Sequence, residues 1–157
     1  MKTLAVCSLL CLGSCMSTAT SGEQGASNEF TSAYVQALEA SDLETLTSFY
    51  AEDVRWYVDG RLHSSGSNEM RDAHEYAAEL GTELDFGEVE TEGEHARMSV
   101  EERNELFGLL GVDSVGQTIE FTRVDGRVVQ VRSTYDREDV QALGVTLPVF
   151  FLSLIHI

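Results

Sequence analysis

The apolar pattern of this chain changes period once, at Gly81, and that change limits the architectures open to it. Upstream, Phe30, Ala33, Tyr34, Ala37 and Leu38 recur at i, i+3, i+4, i+7 and i+8, which puts them on one stripe of a helix. Asn28 stands where a side chain can cap the first turn of that helix. Ser41 and Glu44 form a capping-box pair around Leu43, Leu46 and Tyr50, which continue as a second short helix. Residues 54–58 alternate, with Val54, Trp56 and Val58 on one face and Arg55 and Tyr57 on the other, and predict a first strand. The Gly- and Ser-rich segment 60–67, carrying His63, reads as a loop. A third helix is predicted over 68–80, with Met70, Ala73, Ala77 and Leu80 inward and Gly81 at its C-cap. His74 falls on the far side of that helix or at the edge of the Met70 stripe.

Downstream of Gly81 the period is two. Strands are predicted over 83–92, 95–104, 117–124 and 128–135, the last two joined by Asp125-Gly126, a hairpin-turn pair, and 137–143 reads as a closing helical turn. The connections are too short for parallel crossovers, so the sheet is expected to be mainly antiparallel. With its helices gathered ahead of most of its strands, the chain reads as α+β, and 157 residues suffice for one domain around one core.

The ends of the chain carry different information. Met1-Lys2-Thr3 is a short positive start, 4–12 is an apolar run too short to span a bilayer, and Leu12-Gly13-Ser14-Cys15 follows directly. LGSC resembles the bacterial lipobox, which implies a signal peptide over 1–14 and a diacylglycerol on Cys15; the alternative is an ordinary secretory signal cut after Ser17-Thr18-Ala19. Either way the protein is expected outside the cytoplasm, on the cell envelope if lipidated, with Met16 favouring the outer membrane of a Gram-negative cell. The stretch 15–28 has no apolar period and reads as a flexible tether to a domain over 29–151. LSLIHI, 152–157, is identical to the translation of an adaptor used in sequencing libraries. Those residues are therefore expected to be foreign to the gene and the domain truncated, with an apolar terminal strand as the alternative.

Acidic residues outnumber basic ones 27 to 10, Lys2 is the only lysine, and the formal charge is -17. Such a field repels phosphate backbones and anionic lipid, so nucleic acid is excluded as a partner and any membrane contact is expected through the lipid anchor alone. The acidity otherwise fits solubility or a saline habitat. All three cysteines, Cys7, Cys11 and Cys15, precede the domain, which therefore has neither a disulfide nor a cysteine zinc site. His63, His74 and His95 match no metal-ligand spacing, and no G-x-S-x-G, phosphate-binding glycine loop or H-E-x-x-H occurs, so neither metal nor cofactor is expected.

Two segments carry a resemblance to a known family. SDLETLTSFYAEDVRWYVDG runs from a polar turn through a short helix and an acidic dipeptide into a strand, and ERNELFGLLGVDSVGQTIEFTRVDGRVVQVRS passes through an LG loop into an EF-rich strand and a DGR turn. Over about residues 30–144 the chain resembles the nuclear-transport-factor-2-like superfamily, particularly its SnoaL-like members. The resemblance implies a cone in which a strongly curved sheet wraps the N-terminal helices and its open end holds a ligand, and it implies homodimers. Ketosteroid isomerases of this fold place an aspartate base late in the first strand, where this chain has Val58; Asp59 reaches that position only with a one-residue shift that turns it to the opposite face. Limonene-epoxide hydrolases use an Asp-Arg-Asp group, for which Glu102 and Arg123 are the nearest candidates. This requires Ala96, Met98, Val100, Glu102 and Asn104, and likewise Ile119, Phe121 and Arg123, to face inward. A carboxylate in such a cone would have a raised pKa and act as a base, with arginine orienting it. Tyr34, Trp56 and Tyr135 are candidates to line a cyclase-type pocket, together with Val58, Met98, Asn104 and Phe121. Two functions follow: a domain binding a small apolar molecule or an envelope protein, or an enzyme of the cyclase, isomerase or epoxide-hydrolase type acting on a hydrophobic molecule.

Overall fold

The computed structural model describes residues 21–141, with side chains from 25. Cys15, the expected signal peptide and the segment 142–157 lie outside the described residues. The element order is α1 (Ser21–Glu39), α2 (Leu43–Phe49), β1 (Tyr50–Val58), β2 (Arg61–Ser65), α3 (Ser67–Glu79), β3 (Glu83–Glu92), β4 (His95–Arg103), α4 (Glu105–Leu109), β5 (Val115–Val124) and β6 (Arg127–Tyr135). Residues 137–141 form a closing helical turn.

The six strands make one sheet in the order β2-β1-β6-β5-β4-β3. Among the described residues only the β1–β6 pair is parallel. That pair joins the N-terminal hairpin to the C-terminal meander. Register shifts interrupt β1 between Trp56 and Tyr57, β3 between Phe86 and Val89, and β5 between Thr122 and Arg123. Each such irregularity bends its strand, and together they curve the sheet over α1 and α3. Under the curve lies a core whose largest fully buried side chains include Tyr34, Leu46, Val54, Met70, Met98, Val115, Phe121 and Val128. A buried aliphatic or aromatic side chain of this size stabilises the fold by about 2–3 kcal/mol.

The inward alternation expected for β4 and β5 is present: Ala96, Met98 and Val100 are buried, as are Ile119, Phe121 and Arg123. Four local expectations are corrected. Helix α1 begins at Ser21, so Asn28 is interior to it and 21–28 are helix where a tether was expected; Ser27 is buried, with its hydroxyl on the Gly93 carbonyl. Helix α2 is capped by Asp42, whose carboxylate accepts from the Thr45 amide at 3.1 Å, while Ser41 takes a left-handed conformation, φ 49°. The segment read as a loop at 60–67 contains β2, which pairs with β1. Asp59 and Gly60, φ 47° and 77°, turn the chain as Asp125 and Gly126, φ 51° and 73°, do later. Asn104 ends β4 by capping α4, its side-chain oxygen 2.9 Å from the Phe107 amide.

Candidate functional site

Between α1, α3 and the inner faces of β1, β3, β4, β5 and β6 lies a cavity of about 110 Å³. Its apolar wall is supplied by Leu38, Met70, Ala77, Leu84, Ile119 and Val131. The volume is that of roughly three or four waters, less than the ~150 Å³ of an apolar hole that takes up a benzene ring, but the cavity is partly open to solvent, so a ligand held here is small and reaches its mouth. Larger hollows on the outside of the molecule are open to solvent, such as the one over Glu88, Glu90, Arg97, Ser99 and Thr118.

Two polar groups face this cavity. One is Glu102, placed inward by the alternation of β4 beyond Val100. Its Oε1 accepts from Asn104 Nδ2 at 3.1 Å, and its Oε2 from Gln117 Nε2 at 2.8 Å and the Tyr135 hydroxyl at 3.1 Å. Burial raises its pKa, and the three donors pull against that shift. The hydroxyl of Tyr135 is held well above its usual pKa by burial and then by the charge of Glu102.

The second group is a chain of rings. The Tyr34 and Tyr50 hydroxyls lie 3.0 Å apart, and the Tyr50 hydroxyl is 2.7 Å from Nε2 of His74. His74 lies nearly parallel to Tyr50, at 10° and 5.8 Å between centroids, and to Trp56, at 11° and 6.4 Å. Burial lowers the pKa of His74 to about 4, pushes Tyr34 up to about 12 and raises Tyr50 well above its ordinary value. The imidazole is therefore neutral at pH 7. Between the two groups, the Trp56 indole donates to Ser133 Oγ at 3.0 Å.

Of the residues singled out from the sequence, Tyr34, Trp56, Tyr135 and Glu102 line the cavity. Met98 and Phe121 instead fill the core, Phe121 packed edge-on against Tyr34 with centroids 4.9 Å apart. Asn104 serves Glu102 and the α4 cap, and Val58 ends β1 half-buried beside Ser133 of β6. None of these four belongs to the wall. Asp59 sits in the β1–β2 turn and accepts from the Tyr135 amide at 3.2 Å, outside the cavity.

Glu102 and Arg123 do not meet. The β4–β5 register sets Glu102 opposite Val115 and His95 opposite Thr122, which leaves Arg123 at the far end, roughly 25 Å away along the strands. There Arg123 is 7% exposed; its Nη2 donates to Ser27 Oγ at 2.7 Å and the Gly93 carbonyl at 3.1 Å, and its guanidinium lies 4.3 Å over the Phe30 ring. Its role is to tie α1 to the β3–β4 turn. His74 points inward and not to the far side of the helix, the first of the two placements expected for it; at i+4 from Met70 it shares the buried face of α3, and that spacing is the signal that would have found it. Gln117 was equally legible as the next inward residue before Ile119. Tyr50 was not, because it is the first residue of β1 and the sequence pattern assigned it to the preceding helix. Among the described residues no group of three or more metal-ligating side chains forms.

No protein-family model matches the sequence, and no curated protein matches it at a significant level. Solved structures do match. A protein assigned as a ketosteroid isomerase from Kribbella flavida has a TM-score of 0.62 at 17% identity, over 72% of this chain and 79% of that one. A protein assigned as a polyketide cyclase from Sinorhizobium meliloti has a TM-score of 0.57 at 19% identity, over 67% and 93%. An epoxide hydrolase from Mycobacterium tuberculosis has a TM-score of 0.59 at 15% identity, over 80% and 94%. The fold is the nuclear-transport-factor-2-like cone, which these proteins share with the chain. Identities this low carry the architecture and leave the chemistry to the site. Among the described residues no helix is long and apolar enough to cross a membrane.

Proposed function

We propose that the cone binds one small, largely apolar molecule and that the protein displays this pocket on the cell envelope through a lipid on Cys15. The observation that carries the binding reading is the partly open apolar cavity with a half-buried carboxylate, Glu102, and a neutral imidazole, His74, on its wall. Trp56 is the single tryptophan and lines that wall, so its fluorescence reports on the cavity. Titration with cyclohexanone is expected to change the emission saturably, and Ala77→Phe, which fills the cavity, is expected to abolish the change. An unsaturable response, or one unaltered by the filling variant, counts against the reading.

A second reading, proton transfer, is favoured by the raised pKa of Glu102, held in place by Asn104, Gln117 and Tyr135. The fold's isomerase, cyclase and hydrolase members make such chemistry a natural extension. In it, the C–H bond beside a ligand carbonyl breaks, its electron pair enters the enolate, and the proton goes to the Glu102 carboxylate. Deuterium uptake into cyclohexanone, followed by NMR, is expected to fall ~100-fold or more in Glu102→Gln. Uptake no faster than in buffer leaves the binding reading alone standing.

The LGSC pattern supports the anchor. Cells fed a clickable fatty acid are expected to label the protein, and a Cys15→Ser variant that still takes up label rules the anchor out.

A further inference from the structure

The hydrogen bonds of the ring chain have a direction. The Tyr34 ring is almost fully buried, and its hydroxyl has one hydrogen bond among the described residues, to Tyr50. A buried hydroxyl proton left without an acceptor costs roughly 1–3 kcal/mol, so the Tyr34 proton is donated to the Tyr50 oxygen. Among the described residues the Tyr50 proton then has one acceptor left, Nε2 of His74 at 2.7 Å. A nitrogen that accepts carries no hydrogen, and a neutral ring must carry its hydrogen on the other nitrogen. Nδ1 has no hydrogen-bond partner among the described residues, and no buried side-chain nitrogen or oxygen there lacks one, so Nδ1 keeps open surface on a ring that lines the cavity.

We infer that Tyr34 and Tyr50 hold His74 as its Nδ1–H tautomer, which presents an uncharged N–H donor to the cavity and selects a ligand bearing a neutral oxygen acceptor of the carbonyl, ether or epoxide kind. This rests on the binding reading and gives it a chemical class. Glu102 at the other polar group already takes three donors, so the cavity offers a donor on one side and an acceptor on the other, with an apolar wall between. A ligand without an oxygen acceptor would leave the His74 N–H unpaired.

The tautomer is read from the histidine ring nitrogens of the ¹⁵N-labelled full-length protein by two-bond ¹H–¹⁵N NMR, with no ligand needed. The expected spectrum has a protonated Nδ1 and an unprotonated Nε2 for His74. Tyr50→Phe, which removes the donor and keeps the ring, is expected to shift His74 toward the Nε2–H form while the backbone spectrum stays dispersed. A wild-type His74 protonated on Nε2, or a Tyr50→Phe ring that keeps the wild-type pattern, overturns the assignment. With cyclohexanone, the His74 Nδ1 resonance is expected to move, and the ketone is expected to bind about tenfold more tightly than methylenecyclohexane, its shape-matched analogue without oxygen. Equal affinity, or a Trp56 response without movement at His74, refutes the acceptor class and leaves the binding reading intact. If Trp56 does not respond to cyclohexanone at all, the binding reading falls and the acceptor class with it; the tautomer is still decided by the free protein's spectrum.

Discussion

The hydroxyl of Tyr50 lies 2.7 Å from Nε2 of His74, 24 positions on in sequence, with the two rings within 10° of parallel. One residue opens the first strand and the other sits midway along α3, so the contact exists only once the helix is laid across the sheet. The burial that comes with this docking leaves a histidine that folds uncharged.

That consequence appears as acid sensitivity. His74 has a folded pKa of about 4 against the ordinary 6.5, so between those values the unfolded chain binds a proton that the folded protein refuses. Stability from this group is complete above pH 6.5 and is lost as pH falls through 4, a change of about 3 kcal/mol at ~1.4 kcal/mol per unit. Urea midpoints measured from pH 7.5 to 4 should fall less steeply in His74→Gln, which keeps an acceptor for Tyr50 and cannot titrate. Parallel profiles would show that His74 is solvated.

Glu102 acts with the opposite sign. A carboxyl whose folded pKa is raised contributes stability at low pH that is lost as pH rises through the folded value. Glu102→Gln should therefore lie within about 1 kcal/mol of wild type at pH 7, since the amide oxygen still accepts from Gln117 and Tyr135 and no charge is buried. Thermal melts of both proteins at pH 5 and pH 8 check this, with the variant gaining on wild type at the higher pH.

The separation of Glu102 from Arg123 predicts that they are energetically independent. Arg123→Met should cost about 2 kcal/mol, because the buried Ser27 hydroxyl and the Gly93 carbonyl each lose a charged donor. Its partner Glu94 is more than half exposed and adds little. A double-mutant cycle with Glu102→Gln should give a coupling below ~0.5 kcal/mol. Strong coupling would mean that the two residues communicate after all.

At the β3 irregularity, a Cβ added to Gly87 would stand 2.5 Å from Ser99 Oγ. Ser99 cannot swing aside freely, since its hydroxyl accepts from the Glu88 amide at 3.0 Å. Gly87→Ala should destabilise by about 1–3 kcal/mol, and adding Ser99→Ala should recover most of the loss. Failure of the second substitution to rescue the first would point to backbone conformation as the reason for glycine there.

By itself the sequence determined the strands after Gly81 to within a residue or two and the facing of β4 and β5, because strand alternation is a local property with a fixed period, but it left the short helix α4 as a loop. That was enough to turn Glu102 inward. It did not reveal β2, where Arg61, Leu62 and His63 are all exposed and no alternation marks a strand held by its backbone pairing with β1. Nor did it decide which inward residues share a cavity. Met98, Phe121 and Glu102 have the same facing, yet two fill the core and one meets the cavity, because depth along the curved sheet depends on where the helices cover it. Register, which set Arg123 beyond the reach of Glu102, and helix docking, which brought His74 onto Tyr50, are relations between segments distant in sequence. Only the tertiary structure could settle them, since the pairing of two strands and the seating of a helix depend on the packing of the whole core.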